Sequence, residues 1–516
     1  MRRILAAFMA VASLVAGCSA EGEPAEGSVL HVLAGSELAD LDPVLRDAAK
    51  ATGVSVRFTY AGTLDGVRQV VSGQAGQRHQ AIWFGSNRYL ELRDRPSAAT
   101  ATPIMSSPVV LGVRQEAARR LGWVDKRPSW AEVAKAAVDR DFTYGMTSPA
   151  ASNSGFSALV GVATALNAGQ DLDPPSVAKL SPALRDFFSA QTLTAGSSGW
   201  LSEAFVRKGA EVDGLVNYES VLRSLNASGR LPEPLALVYP SDGVVTADYP
   251  LTLLPGESPE TQAAYDKITA YLLRPETQKR IVETTHRRPV VESVPFEGVA
   301  DVRELPFPGA SETVDGLLAA FYDRLRRPSR TAYVIDVSGS MTGDRIADLK
   351  RAFVSLTGGD SPAFDRFLNR EEVTVVPFST KPHAAREFTV PAENPGAALT
   401  EIRRYAEGLR VGGGTAIYDG LTTAYKIVGQ KTAADPDRFT SIVLMTDGEN
   451  TGGMDFAEFR RRFDGYARLG VPVFPVLFGE AEEKEMKELA DLTGGRSFDA
   501  RAQSLQEVFR EIRGYQ

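Results

Sequence analysis

Two short runs, Thr331-Ala-Tyr-Val-Ile-Asp336 and Ser441-Ile-Val-Leu-Met-Thr-Asp447, are almost continuously apolar, and each stops on an aspartate. A strand without a polar face must be covered on both sides, as in a parallel sheet held between two helix layers. The chain around them alternates accordingly. Helical periodicity covers 346–356, 397–409, 455–469, 482–492 and 504–512, and a further helix runs from Thr415 to near Val428. Strand-like runs lie at 372–378 and 471–478, with a short one around 496–498. This alternation predicts a doubly wound parallel α/β sheet. Strands of such a sheet end at one edge, so Asp336 and Asp447 are expected to meet there.

The loop after the first run reads Asp336-Val-Ser338-Gly-Ser340. It offers a carboxylate and two hydroxyls at alternate positions, with Gly339 allowing the backbone to turn between them. Asp and Ser after a strand also cap helices, so these residues alone leave both readings open. Val411-Gly-Gly-Gly-Thr415 adds a glycine-rich turn and a third hydroxyl at a helix start. An all-oxygen set of this kind suits a hard divalent cation. In this order, Asp336, Ser338, Ser340, Thr415 and Asp447 resemble the metal-ion-dependent adhesion site of von Willebrand factor type A domains. The resemblance runs from about Arg330 to the C-terminus. It implies that the serines and the threonine contact Mg²⁺ (or Mn²⁺, with Ca²⁺ the weaker fit) and that the acids act mainly through waters. It further implies that a protein partner's carboxylate completes the shell.

At 516 residues the chain exceeds one core, and its length suggests about three domain-sized units. A formal charge of −8 and the lack of a basic stripe argue against a nucleic-acid partner. Cys18 is the single cysteine, which excludes internal disulfides and thiolate zinc sites. Met1-Arg-Arg followed by the apolar run 4–15 is too short to span a bilayer. It ends in Val15-Ala-Gly-Cys18, which is similar to a bacterial lipobox. The resemblance implies a signal peptide over 1–17, acylation of Cys18 and durable attachment to the extracytoplasmic face of the membrane. Residues 18–28 then form an acidic tether. No span is seen after residue 512, so the anchor is expected at the N-terminus.

Residues 29–305 repeat strand, loop and helix. Ser36, Thr63 and Ser86 stand at three strand exits, where they would either form a polar rim or cap the following helices. Trp83 is read as core. Asn153 and Ser154 open a long apolar helix whose free N–H groups suit an anion, and Tyr218 ends a strand expected to face it. The order resembles the two-lobed solute-binding proteins of ABC importers, in particular those handling small anions. That implies a small solute between two α/β lobes, with crossovers expected near 107–113 and 237–253. No arginine stands at these helix starts, which weakens a strict sulfate or phosphate assignment.

Residues 306–329 join the halves, and Val314, Leu317, Leu318, Phe321 and Leu325 share one helix face. That helix is expected either to pack on the second domain, 330–516, or to act as a mobile lever. A hydrolase reading lacks support: no Gly-x-Ser-x-Gly or histidine base adjoins Ser338, and Gly429-Gln-Lys-Thr432 interrupts a phosphate loop with Gln430. The expected protein is a lipid-anchored binding protein rather than an enzyme. It joins a solute-binding domain to a metal-dependent adhesion domain. The alternative is an ABC transport receptor, partnered by a permease, in which the metal domain is an accessory.

Overall fold

The computed structural model describes residues 28–93, 100–299, 302–358, 366–479, 483–501 and 505–515. Cys18, the signal segment and the tether lie outside the described residues, as does the side chain of Thr63.

Three sheets organise the chain. The first lobe carries, in spatial order, Val54–Tyr60, Ser28–Ala34, Ala81–Trp83, Pro250–Leu253 and Thr100–Pro103. The first three are parallel, and the last two run antiparallel to their neighbours. The second lobe is built on Met105–Val113, Gly214–Tyr218, Tyr144–Thr147 and Gln191–Ala195. Leu30, Val32, Leu33, Ile82 and Trp83 are 1% exposed or less, because helices cover both sides of the first sheet. Trp83 accordingly sits in the core, its indole N–H donating to the Tyr249 carbonyl at 2.9 Å.

Among the described residues the chain passes between the lobes three times. The first passage falls at buried Ile104, just before the expected 107–113, because Met105–Val113 lies wholly in the second lobe. The second falls at Asp248 and Tyr249, inside the expected range. The third was not foreseen: Arg288–Pro289 returns to pair with Met105 and Ser106. Tyr249 (φ 41°) and His286 (φ 56°) turn the chain at the second and third passages in a backbone region that side chains other than glycine rarely adopt.

The connecting helix Ser311–Ala320 and its π-type continuation Phe321–Leu325 bury all five apolar residues of the anticipated face. Their buried face packs mainly on the solute-binding domain, while Arg370 of the second domain donates to the Asp323 carbonyl at 2.9 Å. Phe321 meets Phe188 of the second lobe at 4.9 Å between ring centroids. Tyr89 of the first lobe donates to Asp315 at 2.7 Å. Helical periodicity identifies a buried face but not the surface that buries it.

The last sheet runs Arg386–Thr389, Glu372–Phe378, Ser329–Asp336, Phe439–Thr446, Val473–Leu477, Phe498–Asp499. All eight residues of Ser329–Asp336 are buried. Helices Asp344–Leu356, Gly396–Glu407 and Leu505–Arg513 cover one face, and Ile417–Ala434, Phe456–Ala467 and Glu483–Thr493 the other. The antiparallel edge strand Arg386–Thr389 was not anticipated, since only Phe388 in it is buried.

Candidate metal site and solute cleft

The two apolar strands are parallel neighbours in register, Ile335 beside Met445, so their terminal aspartates emerge together. Asp336 and Asp447 are both fully buried. The Ser338 backbone N–H donates to Asp336 Oδ1 at 2.8 Å, which folds the loop back over its own carboxylate. The Ser338 and Ser340 hydroxyls lie 2.9 Å apart, and Ser340 donates to Asp447 Oδ1 at 2.9 Å. The Gly339 N–H donates to the Gly413 carbonyl at 2.9 Å, and this bond holds the Thr415 loop against the serine loop. Gly413 makes that approach with φ 88°, where a side chain would also run into the Thr380 hydroxyl. Thr415 is buried, its N–H donating to Thr451 Oγ1 at 2.9 Å and its carbonyl accepting from the Thr451 N–H at 2.8 Å.

Two further residues complete the cluster. Thr446 donates to Asp336 Oδ2 at 2.8 Å, and Arg345 places a guanidinium 2.5 Å from Asp447 Oδ2. The Thr446 role could have been suspected from a hydroxyl closing an otherwise apolar strand. Nothing in the sequence pattern marks Arg345. Burial pushes the Asp336 carboxyl above its ordinary range, and the hydrogen bonds from Ser338 and Thr446 only partly oppose this. Among the described residues no three His, Cys, Asp or Glu side chains gather as a metal site. The side chains joined here are two carboxylates and the Ser338 and Ser340 hydroxyls, with Thr415 on the adjoining loop, an oxygen-only set that fits a small hard cation.

In the solute-binding domain the strand exits of the two lobes face each other across a narrow enclosed space of about 20 Å³, room for a single water. Ser36, Ser86 and Asn153 line it. Asn153 Nδ2 donates to the Tyr218 hydroxyl at 3.0 Å, so these two of the expected residues are joined. Ser154 is not on the surface of the cleft. It is fully buried, its hydroxyl 2.8 Å from those of both Thr147 and Ser198, because the first helical turn aims it at the neighbouring strand ends. The backbone of Thr63 opens helix Thr63–Val71. Ser86 also accepts from the Arg88 N–H at 3.3 Å, the capping alternative.

Glu37, which follows Ser36 at the same strand exit, escaped the sequence reading. Its carboxylate lines the narrow space and accepts from the Tyr218 hydroxyl at 3.4 Å. Burial raises its pKa, opposed by its own backbone and by Arg287. Arg287 is buried, bonds both Asp40 oxygens at 2.8 and 2.7 Å and donates to the Glu37 carbonyl at 3.0 Å. The third passage between the lobes thereby locks the loop that carries Ser36 and Glu37.

Comparison with known proteins matches two separate stretches of the chain. The family of bacterial extracellular solute-binding proteins matches residues 30–284, and the von Willebrand factor type A domain matches 331–449. Inter-alpha-trypsin inhibitor heavy chain H4 of Bos taurus is 29% identical over 129 residues, which are 24% of this chain and 13% of that protein. Heavy chain H3 of Rattus norvegicus is 29% identical over 180 residues, 33% of this chain and 19% of that one. The chain therefore spans less than a fifth of the length of these relatives. Among solved structures, the periplasmic binding protein AfuA from Actinobacillus pleuropneumoniae aligns at 11% identity and TM-score 0.45, covering 58% of this chain and 99% of that one. A von Willebrand factor type A protein from Catenulispora acidiphila aligns at 22% identity and TM-score 0.30, covering 37% and 42%. Residues 30–284 thus belong with the bacterial extracellular solute-binding proteins, and residues 331–449 with the von Willebrand factor type A domains.

Proposed function

We propose that the protein is an extracytoplasmic binding protein whose type A domain holds Mg²⁺ and, through it, a carboxylate of a protein partner. The observation that carries this reading is the direct hydrogen bonding of Asp336, Ser338, Ser340 and Asp447 at one sheet edge, with the Thr415 loop tied to them. Two buried acids and three hydroxyls supply oxygen only, and because Arg345 offsets one of the two negative charges, a bound divalent ion would keep positive charge for a third anion. In this reading Cys18 anchors the chain to the outer face of the membrane. Among the described residues no helix is long and apolar enough to cross one. The test is titration calorimetry of the whole chain with Mg²⁺, Mn²⁺ and Ca²⁺. Binding that Asp336→Ala leaves intact would remove the metal reading.

A second reading is a transport receptor delivering its solute to an ABC permease. The lobes opposed across the Ser36 and Asn153 rim favour it, and it shares the same ligand-binding step. Co-purification with a permease, with or without Mg²⁺, separates the two.

A further inference from the structure

The residues gathered at the candidate metal site lie below the surface. Asp336 and Asp447 are fully buried, Ser338 is 1% exposed and Thr415 5%. Gly339, Ser340, Gly412 and Gly413, on the two loops beside them, are exposed, so an approach from solvent passes over small residues. Arg345 reaches the same edge from the first turn of helix Asp344–Leu356. Its Nη1 lies 2.5 Å from Asp447 Oδ2 and 3.4 Å from the Ser340 carbonyl oxygen. Gly479 (φ 79°) makes room for the pair: a Cβ there would stand 3.0 Å from Arg345 Cζ and 3.0 Å from Asp447 Cβ.

Asp447 occupies only one of the guanidinium nitrogens. Among the described residues Nε and Nη2 bond no other group, and 36% of the side chain stays in solvent. A guanidinium is a planar fork whose geometry matches a carboxylate. This one is anchored through a single nitrogen and keeps its other donors for a further oxygen. Asp344 and Glu449, exposed acids on the adjoining segments, form no ion pair with it. The charges in contact here are therefore two carboxylates and one guanidinium, a sum that a divalent ion turns from negative to positive.

We propose that Arg345 is a second cationic contact for the partner's carboxylate, which is held jointly by the metal and by the free donors of this guanidinium. The proposal rests on the metal-dependent reading of the type A domain. It gives the site a chemical preference: an acidic side chain satisfies both cations, whereas a neutral amide or hydroxyl satisfies the metal alone. It also gives the site an internal brake. Arg345 neutralises part of Asp447 and repels an entering cation, so the metal binds weakly by itself. A carboxylate that engages both cations relieves that repulsion, and metal and carboxylate then strengthen each other's binding by the same factor.

The test is Mg²⁺ titration calorimetry of the full chain in a Cys18→Ser background, with acetate as the carboxylate probe and acetamide as its neutral counterpart. Chloride and acetate buffers are matched at about 0.1 M ionic strength, so that distant charges are screened equally. In chloride, Arg345→Gln should bind Mg²⁺ about tenfold more tightly than wild type, because a like charge beside the ion is gone. Acetate in place of chloride should tighten Mg²⁺ binding to wild type at least threefold, and this gain should vanish in Arg345→Gln. A residue that merely supports the loop would not move the two readouts in opposite directions. Arg345→Lys keeps the charge without the fork, so it should bind Mg²⁺ in chloride as wild type does and recover only part of the acetate gain. If Mg²⁺ binds but Arg345→Gln matches wild type in chloride, or keeps the acetate gain, Arg345 has no part in the site and the metal reading stands without it. An acetate gain absent from wild type, or equalled by acetamide, likewise overturns the carboxylate contact. If wild type binds no Mg²⁺, or binds it equally well after Asp336→Ala, the metal reading fails and the proposal with it.

Discussion

Replacing Glu371 by glutamine tests what holds the two domains together. The carboxylate accepts from Arg326 Nη2 at 2.6 Å, from Arg513 Nη1 and Nη2 at 2.9 and 2.8 Å, and from the Leu368 N–H at 3.0 Å. Arg326 is 4% exposed and Arg513 8%, so water cannot take over their charge. Glutamine keeps the shape and one acceptor oxygen but leaves two like charges buried together. Breaking a buried ion network from one side costs about 3–5 kcal/mol. At about 2–4 °C per kcal/mol for domains of this size, the transition that reports docking should fall by roughly 6–20 °C. Calorimetry of the full chain should therefore split into separate transitions, with faster proteolysis in the connector. Glu372→Gln, which disturbs the partly solvated pairs with Arg330, Lys431 and Arg438, serves as the control and should cost less. Replacing all three buried residues, Arg326, Glu371 and Arg513, by methionine should recover much of the loss, since apolar substitutes of similar volume are often neutral or better. A Glu371→Gln protein that melts as wild type would refute the claim that this network docks the domains.

Other outcomes follow from the same geometry. Burial alone would raise the Glu371 pKa, but Arg513 and Arg326 hold it below the ordinary value. An acid so depressed stabilises above its unfolded pKa and loses that contribution as pH falls, so the domains should undock in the acid range below about pH 4.3, read by calorimetry across pH. Thr446→Val removes the hydroxyl bonded to Asp336 and should weaken Mg²⁺ binding about 10–100-fold by calorimetry without unfolding the domain. Gly155→Ala would put a Cβ 2.1 Å from the Thr147 carbonyl oxygen and should cost about 1–3 kcal/mol in urea unfolding. Cys18→Ser should shift the protein from the membrane to the soluble fraction, and fatty-acid labelling that persists in the variant would remove the lipid anchor.

The gathering of Asp336, Ser338, Ser340 and Asp447 was legible because its logic is local and periodic. Two apolar strands in a parallel sheet bring their terminal acids to one edge, and the serines and threonine sit within a few residues of strand or helix ends. Thr446 belongs to the same pattern and was overlooked only because it reads as the last strand residue. The cleft was harder. Ser36 and Asn153 were visible as polar exits, whereas Ser154, one residue on, turns 100° around its helix into the interior. Glu37 and Arg287 act together across 250 residues of sequence, and no spacing rule reaches that far. The connector shows the same limit: its buried face was plain in the sequence, but its partner surface belongs to the other domain.

The interleaved first lobe has a consequence for how the chain is made. Trp83 bonds the Tyr249 carbonyl 166 residues later, and the strand Pro250–Leu253 is wedged between Ala81–Trp83 and Thr100–Pro103. The first lobe therefore cannot close its sheet until the second has been synthesised. Its early strands wait with unpaired edges, the condition under which nascent chains are prone to aggregate. The type A sheet has no such wait, each of its strands coming from the continuous segment 329–499. Helix Leu505–Arg513 and Tyr515 follow both lobes in sequence, so the contact of Tyr515 with Trp200 can form only after both lobes have been synthesised.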